Sequence, residues 1–338
     1  MSDFTTVQKE TNETLKYLQL AEFINKQIEE EKLLIGNKLP SVNDLMKQLT
    51  MSKATVLKGL NHLSEKGIIE AIYRKGYYVR KRVQYNTYRV CLILDKMNVL
   101  RDSIYHSFFE KLKGVAEVDI FFHHHNIKVF ENLINENLNS YTHFVIITFF
   151  REDPSRIINQ IPANKRIILD YDEKGLTGDY TCIYQNFKAD IYESLIKLLP
   201  RLKKYTRLVL IAPSEAYHGK SVIEGFKKFC KEYKFQNKIY HAVSEKNLKK
   251  GDAYITFSRY DLDDIDIIKL SRKNNWELGK DIGLLSYNDT AVKEILENGI
   301  TVIATDFMKM GEEAAKAIIE KKTIRMRDSA KVILRNSL

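Results

Sequence analysis

Cysteine and proline are scarce in this sequence, with three and five in 338 residues. Cys91, Cys182 and Cys230 stand far apart and never in a Cys-x-x-Cys spacing, which argues against both a disulfide framework and a zinc finger. Each lies among apolar residues and reads as a small buried hydrophobe. No apolar run approaches the roughly 18 residues of a membrane-spanning helix. The first ten residues, MSDFTTVQKE, lack the charged-then-apolar pattern of a secretion signal, so the expectation is a cytosolic chain with no membrane partner. No glycine-rich fingerprint follows a strand-like run, and there is no GxxxxGK[ST], GxSxG or HExxH, which argues against nucleotide-dependent and common hydrolytic enzymes.

What is present is enough apolar residue, 44%, to build a sizeable core, in a length that suits two domains or three. The net charge is +10. Much of it lies between residues 38 and 82, where ten basic side chains face only Asp44, Glu65 and Glu70. A charge run alone is usually a solvated face, so its structural context decides its meaning.

That context is a small helical module. Tyr17, Ala21, Ile24 and Ile28 recur at helical spacing over 14–31. Ser41 is placed to cap a helix over 42–49, and Ser52 a second over 53–65, ending at Gly67. Two short helices joined by Leu49-Thr50-Met51 form a helix-turn-helix pattern. Two β-rich runs around Arg74-Lys75-Gly76 then read as a hairpin. The stretch KLPSVNDLMKQLTMSKATVLKGLNHLSEKGIIEAIYRKGYYV resembles the GntR-type winged helix. The resemblance implies that Ser41, Lys53, Thr55 and Gly76 touch DNA. Ser52, Lys58, Arg74 and Lys75 join them as candidates at the helix start and hairpin tip. Asn43 stands where that family usually has arginine, and Arg74 where it usually has the first wing glycine, which changes the expected half-site.

From residue 88 β-rich and helical segments alternate, with strands expected at 89–94, 118–123, 143–148, 166–170, 207–212, 253–257, 282–286 and 301–304. Helical periodicity marks 103–116, 186–199, 219–233 and 307–321. This α/β pattern fits a barrel or two doubly wound lobes with a cleft. The segments DIGLLSYNDT, NGITVIATDFMKMGEEAAKAIIE and GKSVIEGFKKF resemble the LacI-type effector domain, which is similar to periplasmic sugar-binding proteins. The matching residues are Tyr287, Asn288, Asp289, Thr290, Asp306, Gly311 and the pair Gly225-Phe226. The resemblance implies the two-lobed form, and the combination is similar to sugar-responsive regulators of arabinose and fucose, of the Bacteroidetes type. The expected domains are 1–80, a linker 81–88, and 89–338. Within the last, the near lobe is about 89–186 with 304–322, and the far lobe 187–303 with 323–338.

A sugar needs planar polar groups for its hydroxyls and an aromatic wall. Open α/β sheets bind ligands beyond the carboxyl ends of their strands. The candidates there are Asp95, Asn98, Asp102, Tyr105, His124, Asn126, Phe149, Asp170 and Gln185 on the near side, and His218, Lys220, Arg259 and Asn288 on the far side. The triplet His123-His124-His125 would place only His123 and His125 on one strand face, with no acidic or cysteine partner, so no metal is assigned. No cofactor and no catalytic residue is assigned either.

The reading is a DNA-binding transcription regulator, in the first instance a repressor. It would bind double-stranded operator DNA as a homodimer and respond to a small sugar or sugar phosphate. An activator, an enzyme fused to a winged helix, and a docking scaffold are the alternatives. An enzyme of the pyridoxal-phosphate type would need a lysine Schiff-base motif with an aspartate partner, and neither is found. A protein-docking scaffold would use the winged helix without DNA, and binding that ignores salt would favour it, since phosphate neutralisation makes DNA affinity fall steeply with salt.

Overall fold

The structure, a computed structural model, describes residues 4–30, 32–80, 88–213, 219–257 and 262–338. It forms two units, Met1–Thr87 and Tyr88–Leu338. Of the linker expected at 81–88, all but Tyr88 lies outside the described residues. Tyr88 itself opens a strand.

The first unit consists of α1 (Phe4–Glu29), α2 (Val42–Leu49), α3 (Lys53–Glu65), β1 (Ile69–Ile72) and β2 (Gly76–Val79). Ala21, Ile24 and Ile28 of α1 are buried with Leu20, against Val56, Leu60 and Leu63 of α3. Ser41 and Asp44 close a capping box at the start of α2. Ser41 Oγ accepts from the Asp44 amide at 3.2 Å, and the Asp44 carboxylate accepts from the Ser41 amide at 3.2 Å. Such a cap is worth about 1 kcal/mol. Thr50, at φ +52°, ends α2 in the left-handed region and sets the turn into α3. β1 and β2 pair antiparallel, Ile69 opposite Val79. Residues 36–39 add to the free edge of β2, with Leu39 N donating to Tyr77 O at 2.8 Å.

The second unit opens with β3 (Tyr88–Leu94), α4 (Val99–Leu112), β4 (Ala116–Phe122), α5 (Ile127–Asn137), β5 (His143–Ile147), α6 (Ser155–Ile158), β6 (Arg166–Asp170) and β7 (Thr181–Tyr184). It continues with α7 (Phe187–Leu202), β8 (Arg207–Ile211), α8 (Gly219–Glu232), β9 (Gln236–Tyr240), β10 (Asp252–Thr256), α9 (Leu262–Lys273), β11 (Gly283–Tyr287), α10 (Ala291–Ile295) and β12 (Thr301–Ala304). The remaining elements are α11 (Phe307–Ile319), β13 (Arg325–Arg327) and β14 (Lys331–Ile333).

These strands form two six-stranded sheets, ordered β13-β7-β6-β5-β3-β4 in the near lobe and β14-β12-β11-β10-β8-β9 in the far lobe. All pairings are parallel except β12 with β14. Central strands such as β3 and β11 are buried along nearly their whole length, as strands covered by helices on both faces must be. Each sheet begins with its second strand outside its first, so each has a switch point between its first and third strands.

The chain changes lobe at three places: between β7 and α7, between β12 and α11, and between β13 and β14. The last place corrects an expectation. The tail from 323 does not belong wholly to the far lobe, because Arg325–Arg327 pairs with β7 in the near sheet. A three-residue edge strand rich in arginine carries no apolar run to announce it. Two glycines explain the motifs of the helical segments. A Cβ on Gly311 of α11 would lie 2.4 Å from Ile104 O of α4, and one on Gly225 of α8 would lie 2.3 Å from Lys188 O of α7. Each position marks a helix pair packed backbone to backbone.

Candidate functional site

In the first unit the residues expected at DNA divide by exposure. Ser41 and Ser52 are exposed N-caps of α2 and α3. Asn43 is exposed on the first turn of α2, and Lys53 on the first turn of α3. Lys58 is exposed one turn further, its ammonium 4.9 Å from the Tyr17 ring centroid. Arg74, Lys75 and Gly76 are exposed around the turn between β1 and β2, with Arg74 at φ +60°. Thr55 departs from expectation: it is buried, and its hydroxyl meets Ser52 Oγ at 2.8 Å. It fixes the start of α3 rather than presenting a free group. The exposed set is a helix N-terminus with a lysine and a basic hairpin tip, an arrangement suited to phosphates and groove edges.

In the near lobe the strand ends converge on a buried ion-pair cluster. Asp95 follows β3 and Asp170 ends β6. Between them lies Arg101 of α4, whose side chain is only 5% exposed. Its Nε donates to Asp95 Oδ1 at 2.8 Å and its Nη1 to Asp170 Oδ2 at 2.7 Å. Its guanidinium lies 4.9 Å from the Phe149 ring centroid. Burial alone would raise the Asp95 carboxyl, but the Arg101 charge and hydrogen bond outweigh it and hold it below the usual carboxylate range. Gln185 Nε2 donates to the other Asp170 oxygen, and Gln185 Oε1 accepts from Thr305 Oγ1 at 2.6 Å. Gln185 and Thr305 sit on two of the three crossings, so this amide ties the crossings to the floor of the near lobe. Arg101 thus joins Asp95 to Asp170, and Gln185 bonds Asp170 directly; the three form a floor, not a row of free grips.

The other near-side candidates scatter. Asn98 and Asn126 cap α4 and α5, each side-chain oxygen accepting two backbone amides. Asp102 is exposed and faces His106 at 3.3 Å. Tyr105 packs on Phe109 in the lobe. His124 is exposed at φ +48°, because β4 ends at Phe122 and the histidines form a turn. The strand alternation expected for the triplet therefore does not apply. His123 accepts the His125 amide on Nδ1 at 3.0 Å, which leaves Nε2–H to donate to Ile147 O at 3.0 Å. Burial pushes its pKa down to about 4. A cavity of about 370 Å³ opens at the same end of the lobe, beside Thr148, Phe150, Tyr171 and Glu173.

In the far lobe His218 and Arg259 lie outside the described residues, and Lys220 is exposed on the first turn of α8. Asn288 is held closely. Its φ is +61°, its amide donates to Ile303 O at 2.7 Å, and its carbonyl accepts from Lys293 Nζ at 3.0 Å. The same ammonium reaches Tyr287 O at 2.9 Å and lies 3.5 Å from Asp264 Oδ2. Asp264 in turn accepts from Ser286 Oγ at 2.6 Å and from Thr256 Oγ1. Asn288 Oδ1 is buried and has no hydrogen-bond partner among the described residues. It is an acceptor at the carboxyl end of the far sheet that the described residues leave open.

Arg101, Asp264 and Lys293 were not singled out by sequence. The signal for Arg101 was its place six residues after Asp95, at the start of the helix following the first strand. Nothing local announces Asp170 as its second partner.

Residues 16–79 match the family model described as bacterial regulatory proteins, gntR family. The first unit carries a GntR-type helix-turn-helix. Over 67 residues the chain is 45% identical to the uncharacterized HTH-type transcriptional regulator YydK of Bacillus subtilis, a match covering 20% of this chain and 28% of that protein. Over 318 residues it is 24% identical to the NTD biosynthesis operon regulator NtdR of the same organism, covering 83% of this chain and 92% of that protein. In structure it is similar to the trehalose repressor of Escherichia coli, with TM-score 0.61 and 12% identity over 72% of this chain and 99% of that one. The second unit has the two-lobed fold of LacI-type regulators.

Proposed function

We propose that this chain, a GntR-type winged helix joined to a two-lobed LacI-like unit, is a ligand-responsive transcription regulator and most simply a repressor. Its effector is a small sugar or sugar phosphate bound between the lobes, and it acts in the cytoplasm as a homodimer on double-stranded operator DNA. One observation carries this reading: the winged helix, with its exposed Lys53 and basic wing, shares a chain with a sheet pair two of whose crossings are tied through Gln185 to the carboxylate–arginine cluster at the strand ends. A ligand that closes the lobes changes the geometry of those crossings. DNA affinity follows only so far as DNA binds the two states differently, typically by about 1–3 kcal/mol. The trehalose repressor and the operon regulator NtdR support the assignment in class.

The test is thermal unfolding of the full chain against free and phosphorylated sugars, among them L-arabinose, L-fucose, D-xylose, L-rhamnose, D-ribose and trehalose. A ligand at about 100 times its dissociation constant adds about 2.7 kcal/mol to the native state. A hit that also shifts DNA affinity supports the reading. A panel without any shift overturns the sugar assignment.

A further inference from the structure

One carboxylate at the strand ends of the near lobe stands without a cation. Asp95 and Asp170 share Arg101, and Asp172 pairs with Arg325 at 2.6 Å. Glu173 has no such partner among the described residues. It lines the cavity of about 370 Å³ with Thr148, Phe150 and Tyr171, a volume within the usual range of small-molecule sites. Thr148 is 3% exposed, and its hydroxyl has no hydrogen-bond partner among the described residues. Burial pushes the Glu173 carboxyl up, and the nearby Thr148 hydroxyl, outside hydrogen-bonding geometry, offsets this only in part. The His123 ring backs Phe150 at a centroid distance of 4.2 Å, which fixes one wall. Tyr171 packs against the apolar cluster of the far lobe, so the other wall stands where the two lobes meet. Arg151 and Lys174 also border the cavity, both exposed, and Glu152 and Asp153 match them in number there. The charge left over is that of Glu173.

Such a lining selects among effectors. A neutral sugar leaves the Glu173 charge uncompensated, and a phosphate sets a second negative charge beside it. An ammonium donates to the carboxylate and to the Thr148 oxygen, and an aromatic lining favours a cation. We infer that the effector carries a protonated amine: an amino sugar seated in this cavity, its ammonium on Glu173 and Thr148. This rests on the reading of the second unit as a sugar sensor, and it adds the charge of what is sensed.

The experiment is thermal unfolding and titration calorimetry of the full chain, in wild-type and Glu173→Gln forms. The ligands are D-glucose, D-galactose and D-mannose, their forms aminated at carbon two, three or six, the N-acetylated amino sugars and the sugar phosphates. An aminated sugar should raise the wild-type midpoint where its parent, its N-acetyl form and its phosphate do not. Glu173→Gln should bind that sugar about tenfold more weakly and no longer prefer it to the parent. The midpoint without ligand verifies that the variant folds, and the wild-type panel alone decides if it does not. Equal shifts from aminated and parent sugars, a preferred phosphate, or a preference that survives Glu173→Gln overturn the inference while leaving the sugar reading intact. A panel in which nothing shifts the wild type overturns both.

Discussion

Arg101 and Asp170, 69 residues apart in sequence, meet at 2.7 Å in the floor of the near lobe, with Asp95 on the other arm of the same guanidinium. The cluster joins the ends of β3 and β6 across β5. Replacing Arg101 with alanine leaves two buried carboxylates without their cation. The expected loss is about 3–5 kcal/mol, read as a lowered urea midpoint at pH 7. Because the Asp95 carboxyl is held below its ordinary value, its contribution is present above the unfolded pKa near 4 and fades as pH falls through the folded one. The deficit of Arg101→Ala should therefore shrink in acid; a deficit that does not vary with pH would contradict the ion-pair account.

His123 acts in a different window. Its pKa falls from 6.5 unfolded to about 4 folded, so below pH 6.5 the unfolded chain binds the extra proton. Stability should fall with pH between 6.5 and 4 for this reason. The slope in that window should be shallower in His123→Asn, as measured by urea unfolding across the range.

Gly311→Ala should destabilise the second unit by about 1–3 kcal/mol, because the new methyl meets the backbone carbonyl of Ile104 at 2.4 Å. A thermal midpoint equal to that of the wild type would show that α4 and α11 have room to separate.

Asn288→Gly keeps the backbone at φ +61° and removes the side chain. Its unfolding midpoint without ligand should stay near the wild-type value, and the shift caused by any sugar that stabilises the wild type should drop by at least half. A retained shift would remove Asn288 Oδ1 from the ligand's contacts.

Lys53→Ala should leave the first unit folded, since the side chain is exposed. Operator affinity should fall, and the slope of log affinity against log salt should drop by about 1. Unchanged affinity in the folded variant would move the phosphate contact elsewhere.

The first unit was legible because its signals are local. Ser41 and Ser52 cap within three residues of the amides they hold, and the stripe of Ala21, Ile24 and Ile28 lies within one helix. The alternation of the second unit was legible too, since buried parallel strands read as apolar runs. Strands without such runs were missed: β9 is largely exposed, β7 has four residues, and β13 is arginine-rich.

What the sequence determined by itself was the order of elements, the caps, the winged-helix pattern and the strand ends where polar residues gather. Only the tertiary structure decided what those polar residues do. Asp95 and Asp170 were correctly placed at strand ends, yet whether each faces a ligand or a buried arginine depends on Arg101. Asn288 keeps an open oxygen because Lys293 and Ile303 hold its backbone from other elements. Capping and periodicity act over a few residues and are written in local sequence. Charge pairing in a low-dielectric interior is fixed by which distant residues the sheets bring within about 3 Å, and local sequence does not record it.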